Sequence, residues 1–515
     1  MELRKANLHM DQIKCQINTQ ITLEEDKNIS DRNPDASHIL IEKGKVIIED
    51  IRPGKDVLNM KGKMVYEILY AAEGEEEKLY RMQGEIDWEE KVHVDGMENI
   101  DTPQVTANLE DLRSNLINSR KINIRGLINF CIQTKEIRDR EILLDILEED
   151  IEVKKEPYTQ SVIAVDQKDI FRIKEDLELP ASLPAVGEVL WTYLDLGKWE
   201  IRPLENNIGI QGELNLFLLY ESSGENAEIK SYETVIPFSG NLECPGSNSC
   251  MVADITPTVS SSGVNVKRDY DGEDRLLEVE MVLEVPIQIY EKRDIEQITD
   301  IYSTSWEMVP EYEKEDGKLI RDKYQSRLKI SENLKLPASG GRVLQICHIN
   351  AKVFIEDSQM EKEGIAMEGI LSLLVLYMSD RENKKYEVIK KEIPFTHEIG
   401  NLNITSQCKW KIIPMVENCQ GVVLDESSVE VKTVIGLEIL IQEEWKSMSI
   451  KNVKTNPLSD EVMNNMPGIV VYFPQKKESL WEIGKKYSIS QEAIKKVNQL
   501  EGNEIEKGQK ILLIK

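Results

Sequence analysis

The feature that most constrains this chain is one set of landmarks repeated three times at domain-sized spacing. Lys61-Gly62 leads to Tyr70, Gln211-Gly212 to Tyr220 and Glu368-Gly369 to Tyr377, each glycine eight residues ahead of its tyrosine. Eighteen residues after each tyrosine stands an aromatic, within Ile86-Asp87-Trp88, Ile236-Pro237-Phe238 and Ile393-Pro394-Phe395. Upstream, Leu179-Pro180-Ala181-Ser182 and Leu336-Pro337-Ala338-Ser339 precede their glycines by the same 30 residues, counted from the serine. The first copy offers Pro34-Asp35-Ala36-Ser37 at a spacing of 25, which reads as a deletion. Each copy closes on Ile-Gln, at Ile132-Gln133, Ile287-Gln288 and Ile441-Gln442. Twelve residues further lie Asp145 and Asp300, whereas position 454 is a lysine, as though the third copy had run into a linker. The glycines repeat at 150 and 157 residues, too long for a solenoid unit and right for a domain.

The run before each Ile-Gln sets the fold class. In the second copy Val279, Met281, Leu283, Val285, Ile287 and Ile289 alternate with Glu278, Glu280 and Glu284. In the third, Val431, Thr433, Ile435, Leu437, Ile439 and Ile441 alternate with Glu430, Lys432 and Glu438. A period of two over so many residues is a strand with one face on a core and one in water. Turn clusters and few helical patterns favour three tandem β-rich domains, sandwich- or barrel-like. We place them at residues 1–155, 156–315 and 316–453, followed by a linker at 454–467 and a small domain at 468–515. The connectors at 143–156 and 298–315 read equally as short helices or extended crossovers.

With 93 acidic and 64 basic residues the net charge is −29, which argues against binding nucleic acid or an anionic membrane. There is no 18-residue apolar run and the amino terminus does not read as a secretory signal, so the chain is expected to stay where it is made. The seven cysteines include no C-x-x-C, and free thiols in a reducing cytosol are expected; Cys244 and Cys250, in one Gly/Ser-rich loop, are the pair able to join on oxidation.

The last residues follow different rules. Residues 469–515 hold nine Lys and six Glu, a basic knob of +3 on an acidic body. Ile469 to Phe473 reads as a strand ended by Pro474. Ser479 with Glu482 is a capping box opening a helix through Tyr487, whose buried face is Leu480, Ile483 and Tyr487. Ser490 caps a second helix with Ile494, Val497 and Leu500 inward, and Gly508-Gln509 leads into the strand Ile511 to Ile514. This βααβ order resembles the LysM module, carried by Ser479-Leu480-Trp481-Glu482-Ile483-Gly484-Lys485-Lys486-Tyr487, Asn498, Ile505 and Lys507-Gly508-Gln509-Lys510-Ile511.

LysM modules bind N-acetylglucosamine-containing glycans such as peptidoglycan through two loops. The resemblance implies that these are Gln475, Lys476, Lys477, Glu478, Ser479 and Leu480, then Asn498, Gln499, Leu500, Glu501, Gly502, Asn503, Glu504 and Ile505. The first loop reads Lys477-Glu478-Ser479 where the module usually has Gly-Asp, so a side chain stands where a sugar would approach. Trp481, beside the apolar stripe of its helix, and the basic face of Lys485 and Lys486 are then candidates for a protein partner.

Repeated modules with Gly-x7-Tyr and Ile-Pro-Phe, closed by one LysM, resemble the SipL/SpoVID group of spore-coat morphogenetic proteins, the repeat resembling its SPOCS domain. The resemblance implies a non-enzymatic coat scaffold in the mother-cell cytoplasm at the forespore surface. It implies recruitment by the LysM to a SpoIVA-like coat-basement ATPase, with the repeats engaging other coat proteins. The alternative is a peptidoglycan-binding protein of cortex or wall. A wall hydrolase is disfavoured for want of a catalytic set. The five histidines are scattered with no H-E-x-x-H; Cys347-His348 reads as strand, and no nucleophile elbow, P-loop or dinucleotide fingerprint appears. No catalytic residue, metal or cofactor is expected. Asp269, Asp271, Glu273 and Glu280 mimic a calcium loop, but Asp274 stands at the glycine slot, so a hairpin turn is expected. Glu75-Glu76-Glu77 and Glu148-Glu149-Asp150 read as solvated loops, and the repeated aromatics as core.

Overall fold

The alternating runs are strands, and each is longer than a sandwich needs. The structure, a computed structural model, describes all residues except 1–2, 75–77, 149, 226, 337–340, 363, 382–383, 458–467, 476–477, 501, 504, 506–507 and 515. The first module comprises β1 (Leu3–Asn28), β2 (Ala36–Gly54), β3 (Val57–Ala72), β4 (Leu79–His93), β5 (Gln104–Asn118) and β6 (Lys121–Ile146). They form two antiparallel sheets, β1-β6-β5 and β2-β3-β4. The second has β7 (Ile151–Glu178), β8 (Val186–Leu204), β9 (Asn207–Ser222), β10 (Ile229–Glu243), β11 (Val252–Asp254), β12 (Thr258–Arg268) and β13 (Asp274–Ser303). Its sheets are β8-β9-β10 and one centred on β13, with β7 on one side and β11 and β12 on the other. The third repeats this with β14 (Trp306–Lys335), β15 (Val343–Glu361), β16 (Gly364–Ser379), β17 (Tyr386–Ile399), β18 (Cys408–Asp425) and β19 (Ser428–Pro457). Each module is therefore a sandwich.

The central strands of the two sheets face each other. In the second module Leu214, Leu216, Leu218 and Tyr220 of β9 join Leu277, Val279, Met281, Leu283, Val285 and Ile287 of β13 in one buried cluster. The landmark glycines explain themselves here. Gly62, Gly212 and Gly369 pair across the sheet with Trp88, Phe238 and Phe395. A Cβ on any of them would come within 2.7 Å of its partner's ring. The aromatic lies over the space a side chain would occupy, which demands glycine. The landmark tyrosines are buried, and Tyr70 and Tyr220 donate hydrogen bonds to the Pro34 and Pro184 carbonyls.

That pairing overturns the expected deletion. Arg120 donates to the carbonyls of Ile29, Ser30 and Asn33, as Arg275 does to those of Leu179, Pro180 and Leu183. Pro34 therefore matches Pro184, not Pro180, and the first two copies run without a gap here. A second proline in the turn had shifted the reading.

The first strand of each meander, β2, β8 or β15, carries bulges at matching places, including Leu40, Leu190 and Cys347. A bulge breaks the alternation, so two consecutive residues face the same way. Leu40-Ile41, Leu190-Trp191 and Cys347-His348 thereby all reach one cluster or its edge between the modules, joined by Leu69, Phe217, Leu219, Leu376 and Tyr386. Around it the modules follow one another head to tail. Strand β4 packs on β8, Glu233 of β10 lies 3.3 Å from His348 of β15, and Lys390 of β17 pairs with Glu42 of β2 at 2.5 Å. The third module closes on the first, as a heterologous interface must to form a ring.

Beyond the sandwiches the long strands continue as two-stranded ribbons, with register from Leu3↔Ile146, Ile151↔Ser303 and Trp306↔Pro457. A bulge at Lys14, Ala164 or Arg321 marks where each ribbon leaves its sandwich. The ribbons pack into a stem whose far end buries Leu143, Ile146, Ile298, Ile301, Ile450 and Val453. The segments left open between helix and crossover are extended ribbon except where strands end at Ile146 and Ser303 and begin again at Ile151 and Trp306. Strand β7 runs through residues 155 and 156, β14 through 315 and 316, and β19 through residues 454–457. Cuts at those places would divide strands, because the chain turns from module to module only at the stem's end. The other linker residues lie outside the described residues, as do Leu-Pro-Ala-Ser residues 337–339, Glu75-Glu76-Glu77 and Glu149.

The acidic turn at 269–273 is the expected hairpin, its Asp269 carboxylate accepting from the amides of Asp271 and Glu273. All seven cysteines are free, Cys244 buried and Cys250 exposed. Among the described residues there is no metal-ligating cluster, and no helix is long and apolar enough to cross a membrane.

Candidate functional site

The tail is a separate small core. Strand β20 (Ile469–Tyr472) pairs antiparallel with β21 (Ile511–Ile514). Helix α1 (Leu480–Tyr487) and helix α2 (Gln491–Asn498) cover one face of that sheet. Ser479 caps α1 with a complete capping box to Glu482, and Ser490 caps α2. Leu480, Ile483, Ile494, Ile511 and Leu513 form the core, with Tyr487, Leu500 and Ile505 packed on it. Val497, expected inward, is instead 37% exposed. The next residue takes the inward place: Asn498 donates to the Ile494 and Leu512 carbonyls and accepts from the Leu512 amide, tying α2 to β21.

Among the described residues of the first candidate loop, one carboxylate is already engaged within the module. The Glu478 carboxylate accepts from the Tyr472 hydroxyl at 2.8 Å and the Gln475 amide at 2.7 Å. The Gln475 bond and the Tyr472 bond hold that carboxyl below the usual glutamate range. Lys486 sits over the rings of Tyr472 and Tyr487. In the second loop Gln499 ends α2 in a left-handed conformation, and Gly502 and Asn503 are exposed. Lys476, Lys477, Glu501 and Glu504 lie outside the described residues. Of the two loops, then, Ser479, Leu480, Asn498, Leu500 and Ile505 are committed to the fold.

The side chains singled out for a protein partner already have one within the chain. Helix α1 rests on the end of the second ribbon. The Trp481 indole Nε1 donates to Asp300 Oδ2 at 2.8 Å, and Lys485 Nζ donates to Asp300 Oδ1 at 2.5 Å. The Tyr302 ring meets Trp481 edge-on at 4.9 Å, and its hydroxyl donates to the Ile489 carbonyl at 3.0 Å. Trp481 keeps 8% of its surface and Tyr302 4%. Burial works against the charge on Asp300, yet the Lys485 and Trp481 bonds outweigh it and the carboxyl titrates below the usual aspartate range. Burial pushes the Tyr302 hydroxyl up. Asp300 and Tyr302 were missed as site residues; the signal was the Asp145/Asp300 landmark, read only as a repeat marker.

Three repeated sandwiches with a helix-faced βααβ module define a multi-module binding protein. The family described as SipL, SPOCS domain matches residues 35–117, 185–267 and 342–424, and the LysM domain family matches residues 475–513. The chain belongs to the SipL-like proteins, with three SPOCS domains and a carboxy-terminal LysM. Both are non-catalytic binding domains, and together they support a sporulation-related or cell-wall-binding role. Each SPOCS match spans β2 to β5 or its equivalents, leaving out the long ribbon strands. Searches of curated proteins and of solved structures each found no match.

Proposed function

We propose that this protein is a non-enzymatic spore-coat assembly scaffold working in the mother-cell cytoplasm at the forespore surface. Its LysM recruits it to a SpoIVA-like coat-basement protein, and its SPOCS modules engage other coat components. The observation that carries this reading is the company the LysM keeps: it follows three SPOCS domains in one chain. Glu478 supports a protein ligand over a sugar, because its carboxylate is already taken by Tyr472 and Gln475. Several linked sites gain effective concentration without a tight individual interface. The LysM match favours a second reading, peptidoglycan binding through Gly502, Asn503 and their neighbours.

The test presents the purified full chain to the basement protein and to insoluble peptidoglycan, beside a chain ending before residue 458. Capture of the basement protein by the full chain alone supports recruitment. Sedimentation with peptidoglycan, competed by chitin oligomers and without capture of that protein, overturns it in favour of the glycan reading.

A further inference from the structure

The seat beneath the LysM is specific to one of three otherwise parallel ribbons. At matching distances past the Ile-Gln landmark the first ribbon has Asp145 and Leu147, the second Asp300 and Tyr302, the third Lys454 and Asn456. Asp145 is engaged by Lys155 of the neighbouring strand at 3.1 Å, and Lys454 by Glu311. A lysine at this place would repel Lys485. Only the second ribbon joins a carboxylate to an aromatic two residues on, both on the side that meets α1. Asp300 follows a bulge at Thr299, so its carboxylate turns out of the ribbon to take both donors from α1. On the LysM side the requirements are equally definite. Trp481 supplies an apolar plate and a single N–H, Lys485 a cation one helical turn on, and Gly484 a gap. A Cβ on Gly484 would stand 2.5 Å from the Tyr302 hydroxyl.

We propose that this face of α1 is a receptor for an extended acidic-x-aromatic segment, that Asp300-Ile301-Tyr302 fills it in cis, and that a protein partner presenting the same chemistry takes it by exchange. This deepens the recruitment reading and rests on it only for the partner's identity as a protein. Because the segment and α1 belong to one chain, the cis segment is held at a high effective concentration, so a partner displaces it only by binding α1 more tightly than the segment does. The seat thereby disfavours stray acidic peptides.

The test uses the full chain labelled with 5-fluorotryptophan, the Trp481 resonance being assigned by its loss in Trp481→Phe. The probe is a synthetic peptide of residues 296–304, Glu-Gln-Ile-Thr-Asp-Ile-Tyr-Ser-Thr. In the chain carrying Asp300→Ala with Tyr302→Ala, the Trp481 signal is expected to move to a solvent-exposed position while the other tryptophans hold theirs. Added peptide is expected to return it, at a concentration about tenfold lower than any effect on the unaltered chain, as a seat occupied nine-tenths of the time requires. Lys485→Glu, which leaves the body untouched, releases the signal by charge repulsion and abolishes the peptide response. An unchanged Trp481 signal in both variants overturns the cis seat. In the Asp300→Ala/Tyr302→Ala chain, a released signal that does not respond to millimolar peptide overturns the receptor. Both results are read without the basement protein or peptidoglycan, so they stand apart from failure of the recruitment reading.

Discussion

Gly212 shows how much one missing side chain decides. Its Cβ would stand 2.6 Å from the Lys198 carbonyl and 2.7 Å from the Phe238 ring, one a rigid backbone atom and the other a core aromatic. Neither gives way cheaply, so Gly212→Ala is expected to destabilise the protein by about 1–3 kcal/mol, against a few tenths for the open Gly263. Chemical denaturation of the two variants checks it. Asp300 decides in another way, through charge. Its docked carboxyl titrates low, so the docked state prefers the ionised form, and docking is at full strength above the ordinary value of 3.8. It is lost as pH falls through the lower docked value. Lys485 and Tyr312 are the groups facing this carboxyl, and neither changes charge in that window. The protection factor of residues 480–487 against hydrogen exchange is expected to fall below about pH 4 in the unaltered chain and to show no such step in Asp300→Ala.

At the scale of the element, the residue that stands against the turn opening each meander differs between copies although the flanking strands do not. Arg120 and Arg275 each gather three backbone carbonyls of that turn. In the third copy Ser427 occupies the place of Arg275, donating no such fork, as the shared bonds Leu179 N to Arg275 O and Leu336 N to Ser427 O show. Arg275→Ala strips two part-buried carbonyls, those of Leu179 and Leu183, and the exposed Pro180 carbonyl of their donor and is expected to cost about 1–3 kcal/mol. Faster proteolysis at residues 179–185 would accompany the loss. The same residues show what the sequence hid. The long alternating runs, the capping box and the landmark aromatics were all legible because each depends on local periodicity or spacing. The turn was misaligned because Pro180 and Pro184 stand in one turn, and only the carbonyls that Arg275 reaches tell which of them answers Pro34. Val497 was misplaced because helical period alone cannot know that the polar Asn498 is wanted inside to tie two elements together.

For the whole molecule the decisive fact is that the modules are interlocked. Trp191, fully buried, sits among side chains of the first and third modules rather than in the core of its own. Trp191→Ala is expected to cost about 3–5 kcal/mol, measured by thermal or chemical unfolding. Because the ring is closed through this cluster, the loss is expected in one transition shared by all three modules rather than in a separate transition of the second. Three modules so joined present their outer surfaces at fixed angles, whereas a flexible string would let them wander.

By itself the sequence determined the triplication, the β-rich class of the modules, the βααβ tail and the residues that cap its helices. These follow from periods, spacings and caps that act over a few residues. Tertiary structure alone decided the ring, the stem and the seat of the LysM. Bulges set which consecutive residues leave the sandwich together, and a bulge is a register choice made between strands. The ribbons bury one another's sides, so their alternation reads like that of any half-buried strand. Asp300 and Trp481 stand 181 residues apart, and no local pattern in either segment points to the other. Their meeting rests on where the ribbon ends and which face of a two-turn helix is left uncovered by its own core.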